Sequence, residues 1–280
     1  MTMYDTSKSR DMMAYLHEKQ NWVWKETLNI HARAPETRVA SSLSSVDIFV
    51  ALYYGKILRF DPARPDWEGR DRLIISKGHG AISLYPILAD LGYIPMDELQ
   101  RVGKEGSYLG GIPDCVIPGF ETTNGSLGHG LGVACGTALA LKRKGRKEKV
   151  FVLQGDGELY EGSVWEAIMF AGQHHLDNLV LILDRNRICM LDYCKNVIDL
   201  DPLEKKFEAF GWRATAVDGH DVGRLHASLA QLKNGTGNMP SILVAETVKG
   251  KGVRKLEEDV LCHIRNVSAA DVERLVTERL

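Results

Sequence analysis

Hydrophobic positions along the 280-residue chain follow two rhythms, one near the helical repeat and one continuous. Residues 11–30 contain no Gly or Pro and space Met12, Met13, Leu16, Val23, Trp24 and Leu28 at roughly helical intervals, which predicts a helix. A second helix is expected over 44–57, ending near Gly55, and the DP and RP pairs within 61–65 mark a surface loop. The short apolar run LIIS inside 72–77 stops at Gly78 and predicts a strand, after which a helical pattern resumes over 81–91. Gly and Pro recur throughout 103–125, so this stretch reads as an ordered loop long enough to line a site. Over 127–142, Gly128, Gly132 and Gly136 fall four apart, which predicts a helix with a small-residue face open to close backbone packing and an otherwise ordinary core face.

Three continuous apolar runs then recur with helical patterns between them, at 150–154, 179–184 and 241–246, with a weaker one at 214–217. Strands buried on both faces have this signature. The repetition predicts an α/β fold with a doubly wound, mostly parallel sheet and helices on both faces, in which ligands sit beyond the carboxyl ends of the strands. No repeat, low-complexity tract or linker interrupts the chain, and its length suits one core, so residues 1–280 are expected to form one domain.

Composition narrows the function. Hydrophobic residues at 44% and charged residues at 26% are ordinary globular usage and disfavour disorder, collagen and coiled coil. Thirty-five Lys and Arg against 37 Asp and Glu leave a net charge of −2, which supplies no global field for nucleic acid or an anionic membrane, so an anionic ligand must be held locally. Five cysteines without a CxxC pair indicate neither a disulfide framework nor a zinc ribbon. Charges are scattered through MTMYDTSKSRDMMAYLHEK with no apolar signal core, and no run approaches a membrane helix; a cytoplasmic protein is expected.

The candidate chemistry lies after two of the strands. Gly155-Asp156-Gly157 follows the first apolar run and Asp184-Arg185-Asn186-Arg187-Ile188 ends the second, so the two turns can converge on one point. Glycines on both sides of Asp156 would let its backbone approach an anion. Asp156 and Asn186 offer the oxygen ligands that Mg²⁺ favours when phosphates and water complete its shell.

Asn186 stands 30 positions beyond Asp156, and a GDG followed by Asn at that distance resembles the thiamine diphosphate signature of the transketolase family. The blocks SKGHGAISLYPILADLGY, GFETTNGSLGHGLGVACGTALALK, GDGELYEGSVWEAIMFAG, FGWRATAVDGHD and TVKGKGV are similar to consecutive blocks of that family's amino-terminal half, over roughly 11–265. By position, the resemblance implies that Asp156, Asn186 and the carbonyl of Ile188 hold Mg²⁺ or another divalent cation such as Ca²⁺, with Gly155 and Gly157 at the diphosphate of the cofactor. It places His79 and His263 beside the cofactor, where either imidazole is suited to acid–base work. Gly125, Ser126 and Leu127 match a turn whose backbone meets the aminopyrimidine. Glu161 and Glu166 match acidic positions between paired active sites, Glu161 counting among the catalytic ones. If both lie on a helix, five residues separate them by about 140°, so they do not share a face.

The family activates its cofactor with a glutamate from a pyrimidine-binding domain, and no residue of this chain matches it. The resemblance therefore implies a split enzyme: an amino-terminal subunit, its carboxy-terminal counterpart supplying the glutamate, and a two-plus-two assembly that acts on sugar phosphates or related small molecules. Two positions depart from the family. Arg38 stands where a substrate-facing histidine is usual, and Ile112 replaces a histidine that meets the donor's terminal hydroxyl. A permanent cation suits a carboxylate, sulfonate or phosphate, and Ile offers an apolar contact. The expected reaction is transfer of a two-carbon unit from a ketose to an aldose. Acetyl transfer from a pyruvate-like 2-oxo acid and a non-catalytic partner subunit stay open as alternatives. No GxGxxG follows the first strand, which disfavours a dinucleotide fold.

Overall fold

Five parallel strands organise the chain in a computed structural model that describes residues 6–278 apart from 236; part of the amino-terminal stretch read above lies outside them. They are β1 (Arg72–Ile75), β2 (Val150–Gly155), β3 (Leu179–Arg185), β4 (Arg213–Asp218) and β5 (Ser241–Glu246), in the spatial order β1-β2-β3-β5-β4. The continuous apolar runs are explained by helices on both sides. Phe151, Leu153, Val180, Ile182, Leu243 and Ala245 join the core under α1 (Thr6–Arg33), α2 (Val39–Leu43), α3 (Val46–Tyr53) and α4 (Leu84–Asp90). Val150, Val152, Leu181, Leu183, Ile242 and Val244 face α5 (Gly130–Arg143), α6 (Gly162–Gln173) and α7 (Leu203–Ala209). Helices α8 (Val222–Asn234) and α9 (Ala269–Glu278) complete the first layer. The edge strand β4 pairs only with β5 and is half-exposed, hence its weak apolar run.

Register places the chemistry. Gly155 lies opposite Asp184, Asp184 opposite Ala245, and Val217 opposite Ala245, so the carboxyl ends of β2, β3, β5 and β4 stop at one level. The segments after them therefore meet above the same edge.

Three local expectations change. The helix expected over 44–57 spans only Val46–Tyr53, preceded by the separate turn Val39–Leu43 in a serine-rich stretch. Helix α5 starts at Gly130, because Gly128 adopts a positive φ of 82° and turns the chain before it; a Cβ there would lie 2.5 Å from that of Glu161. Gly132 and Gly136 do lie on one helix, but among the described residues nothing beyond the helix's own neighbouring backbone comes within 4 Å of where their Cβ atoms would be, so the small-residue face looks outward. Glu161 is the residue before α6, with extended backbone, so the helical-angle comparison with Glu166 does not apply; both side chains are exposed.

Among the described residues no helix is long and apolar enough to cross a membrane.

Candidate active site

Two buried carboxylates lock the strand ends together. Asp184 is fully buried and accepts hydrogen bonds from Ser44 Oγ at 2.7 Å, Ser45 Oγ at 3.3 Å and Thr247 Oγ1, and pairs with the buried Lys77 ammonium. Burial alone would raise this acid, but Lys77 beside it and the hydroxyl donors hold it down at about 2. Lys77 also donates to Ser41 O at 3.1 Å, so one ion pair joins the β1 exit, the α2–α3 corner, β3 and the β5 exit. Glu158 does the same across the other side, accepting from Ser76 Oγ at 2.6 Å, Gly128 N at 2.9 Å and Gly155 N at 3.0 Å.

The residues expected to hold a cation stand on this frame. Asp156 accepts from Gly157 N at 2.9 Å and from Arg187 N at 2.5 Å, which ties the GDG turn to the β3 exit. Arg187 adopts φ 66°, turning the chain sharply between Asn186 and Ile188. Asn186 Oδ1 accepts a long bond from Ile188 N at 3.3 Å, and Ile188 O accepts from Lys249 Nζ at 3.0 Å. Burial, reinforced by the Asp184 charge, lifts the Asp156 acid to about 6. Neither flanking glycine adopts a positive φ; a Cβ at Gly155 would meet only ordinary contacts, and at Gly157 it would crowd Cys189 Sγ at 3.2 Å.

His79 and His263 meet edge to face with ring centroids 5.2 Å apart. Burial and then Lys77 push the His79 imidazole well below its ordinary range, and burial and then Lys249 bring His263 to about 4. Both rings are neutral near pH 7, so each has a lone pair to accept a proton or a hydrogen bond. Ser41 Oγ lies 3.3 Å from His263 Nδ1. Arg38, exposed just ahead of α2, is close enough for its charge to act on His263. Ile112, 49% exposed, lies against Gly78, next to His79. The Gly125, Ser126 and Leu127 turn is tied in through Gly128 and Glu158, and Glu161 packs against Gly128. A cleft of about 390 Å³ runs from Asp156, Asn186 and Lys249 to Tyr160, Cys194 and Ile198, while His79 and His263 stand outside it.

Sequence reasoning passed over Lys77, Glu158, Asp184 and Lys249. Lys77, Glu158 and Lys249 sit inside quoted blocks just past a strand end and Asp184 in the last residues of β3, all of them buried, where a charge is exceptional unless it is paired or used. Lys249 is 4% exposed, and burial and then Lys77 depress its ammonium.

These residues fit an anionic cofactor with a divalent cation. A carboxylate, an amide oxygen and a carbonyl oxygen form an all-oxygen donor set for a hard cation, and among the described residues no cluster of three or more His, Cys, Asp or Glu competes with it. The buried Lys249 supplies a cation for phosphate oxygens.

The fold and site thus define a parallel α/β domain that gathers anion- and cation-binding groups at its strand ends. The chain belongs to the transketolase family: the family model described as transketolase, thiamine diphosphate binding domain, matches residues 32–279. It is 36% identical over 249 residues to the 6-deoxy-6-sulfo-D-fructose transketolase subunit SqwG of Clostridium sp. (strain MSTE9), covering 89% of this chain and 90% of that protein. It is 38% identical over 265 residues to an apulose-4-phosphate transketolase subunit of Actinobacillus succinogenes, covering 94% and 95%. The transketolase of Campylobacter jejuni superposes with a TM-score of 0.85 at 28% identity, over 94% of this chain and 42% of that one. The chain is a transketolase-like transferase.

Proposed function

We propose that this chain is the cofactor-binding subunit of a two-subunit transketolase, moving a two-carbon unit from a ketose donor to an aldose acceptor. The observation that carries the reading is the convergence of Asp156, Asn186, Ile188 O and Lys249 at one strand edge, with His79 and His263 outside that cleft but within reach of the Lys249 charge. Thiamine diphosphate, when bound, supplies the carbon nucleophile and electron sink for carbon–carbon cleavage. Asp156, Asn186 and Ile188 O hold Mg²⁺ or Ca²⁺, and Lys249 neutralises diphosphate oxygens. His79 and His263 are the groups offered for proton exchange with substrate hydroxyls, and in the free chain burial keeps both rings neutral, able to accept hydrogen bonds there. The 125–127 turn and Glu161 face the pyrimidine side and the neighbouring protomer, and the activating glutamate comes from a carboxy-terminal partner in a two-plus-two assembly. The whole chain serves as one cofactor-binding domain of a cytoplasmic enzyme, and relatives named as subunits support this arrangement.

Reconstitution tests it. The chain alone is expected to be inactive and to gain turnover when mixed with thiamine diphosphate, Mg²⁺ and a carboxy-terminal transketolase subunit. Full turnover by the purified chain alone would overturn the split arrangement.

Arg38 and Ile112 are read as donor-specificity positions. One named relative acts on a sulfonated ketose and another on a ketose phosphate, so both donors carry an anionic group, and the exposed Arg38, whose charge reaches His263, is a cation that suits such a group. Exchanging Arg38→His and Ile112→His together is expected to shift the kcat/KM ratio between an ordinary ketose phosphate and the wild type's preferred donor by about tenfold towards the ketose phosphate. Pyruvate belongs in the assay as the alternative donor, with a methyl group for Ile112 and a carboxylate for Arg38. An unchanged ratio in the reconstituted enzyme shows that neither position selects the donor.

A further inference from the structure

The GHD block after β4 carries no role in the reading above, yet it meets the TVKGKGV block after β5 that holds Lys249. Gly219 N donates to Glu246 O at 2.8 Å, and a Cβ on Gly219 would lie 2.4 Å from Thr247 Cγ2, so only glycine lets the two strand exits run this close. That contact delivers His220 to the segment 247–250. Its Nε2 takes the Val248 N–H at 2.8 Å, and its Nδ1 lies 2.7 Å from Asp47 Oδ2. A backbone N–H can only donate, so Nε2 is the acceptor, and Nδ1–H donates to Asp47. Asp47 is buried in the first turn of α3, the helix whose approach places Ser44 and Ser45 on Asp184.

The segment carrying Lys249 is thus pinned at three backbone points. Thr247 N donates to Arg185 O at 3.1 Å, Val248 N to His220, and Gly250 N to Ala40 O at 2.9 Å. His220 is the one side chain in that set, and it holds the residue directly before Lys249. Val248 is itself 37% exposed, so it has no deep packing to fix its backbone in place of that bond.

We propose that His220 is a positioning residue: spanning Asp47 and the Val248 N–H, its imidazole sets the β5 exit so that the Lys249 ammonium meets the diphosphate. This rests on the cofactor reading given above. The histidine touches neither cofactor nor substrate and acts through Lys249.

Two substitutions separate the two ends of the ring. Glutamine can place an acceptor near Nε2 and keep the Val248 bond, whereas asparagine reaches only the Nδ1 position and keeps Asp47 alone. Thiamine diphosphate with Mg²⁺ is titrated into the full chain by calorimetry, with thiamine lacking the phosphates as the comparison and circular dichroism as the check on folding. His220→Asn is expected to weaken thiamine diphosphate binding about tenfold, the equivalent of one lost hydrogen bond, while His220→Gln stays within about threefold of wild type. Thiamine itself is expected to respond to neither. Lys249→Met weakens diphosphate binding further, and adding His220→Asn to it is expected to cost less than about twofold more, because the histidine has then lost the group it positions. Independent, additive losses, or equal losses for Gln and Asn, overturn the proposal and leave His220 a general support of the fold. A wild-type chain that does not distinguish thiamine diphosphate from thiamine overturns the diphosphate reading itself, and the proposal with it.

Discussion

Asp184→Asn is expected to leave the cofactor-free chain about 3–5 kcal/mol less stable. The carboxylate is fully buried at the end of β3 and holds the Lys77 ammonium, which is also inside. Asparagine keeps the volume and can still accept from the Ser44 and Thr247 hydroxyls. It leaves Lys77 as an unpaired buried cation facing an amide that competes to donate. Desolvating that charge is what costs, and it is why an isosteric exchange is damaging. Urea unfolding should show an earlier midpoint at unchanged slope, and the thermal midpoint should fall by about 10 °C. Adding Lys77→Met to Asp184→Asn is expected to recover part of the loss, since an apolar pair needs no counter-charge. A change within about 0.5 kcal/mol for Asp184→Asn would mean that the pair is not the lock joining β1, β3 and the α2–α3 corner.

The same residue shows where sequence reading stops. Runs such as 150–154 and 179–184 were legible because strands covered on both faces have no polar positions to break the pattern, and the GDG and Asn turns were legible because they follow those runs directly. Asp184 itself looked like the polar stop that ends a strand. Nothing in one sequence says that Lys77, more than a hundred residues earlier, folds onto it. Glu158 and Lys249 were hidden in the same way, because their partners come from other strand exits and only the parallel register brings them together. The helix over 44–57 was half right for a related reason: Ser44 and Ser45 are spent on Asp184, and that tertiary contact sets a corner where propensity alone would run straight on. Ile112 and Arg38 were aligned through loops; that Ile112 lies against Gly78 and that the Arg38 charge reaches His263 are neighbourhoods the loops alone could not supply.

Asp156→Ala is expected to reduce the apparent affinity for thiamine diphosphate in Mg²⁺ by at least about 100-fold while the fold survives. Asp156 is the one carboxylate in the proposed cation set, beside the amide of Asn186 and the carbonyl of Ile188, so its loss removes the only anionic protein ligand. The fold should tolerate the change because this charge is a burden without the cation. Burial and then Asp184 raise its acid to about 6, so the ionised form costs more in the folded chain than in the unfolded one. A raised carboxyl supports the fold at low pH, and that support is lost as pH rises through about 6; at pH 8 the ionised group costs up to about 3 kcal/mol. Asp156→Asn, which keeps an acceptor for the Gly157 and Arg187 N–H groups, should therefore be as stable as wild type or more so at pH 8 without cofactor. Cation binding runs the other way, because it needs the ionised carboxylate. Wild-type affinity should fall as pH drops through about 6, by up to tenfold per unit, and the Asn variant should lack that component. Calorimetric titrations at pH 5, 6, 7 and 8, paired with unfolding curves at the same values, measure both halves. Unchanged affinity in Asp156→Ala removes the metal assignment, and a collapsed fold shows that the GDG turn is structural.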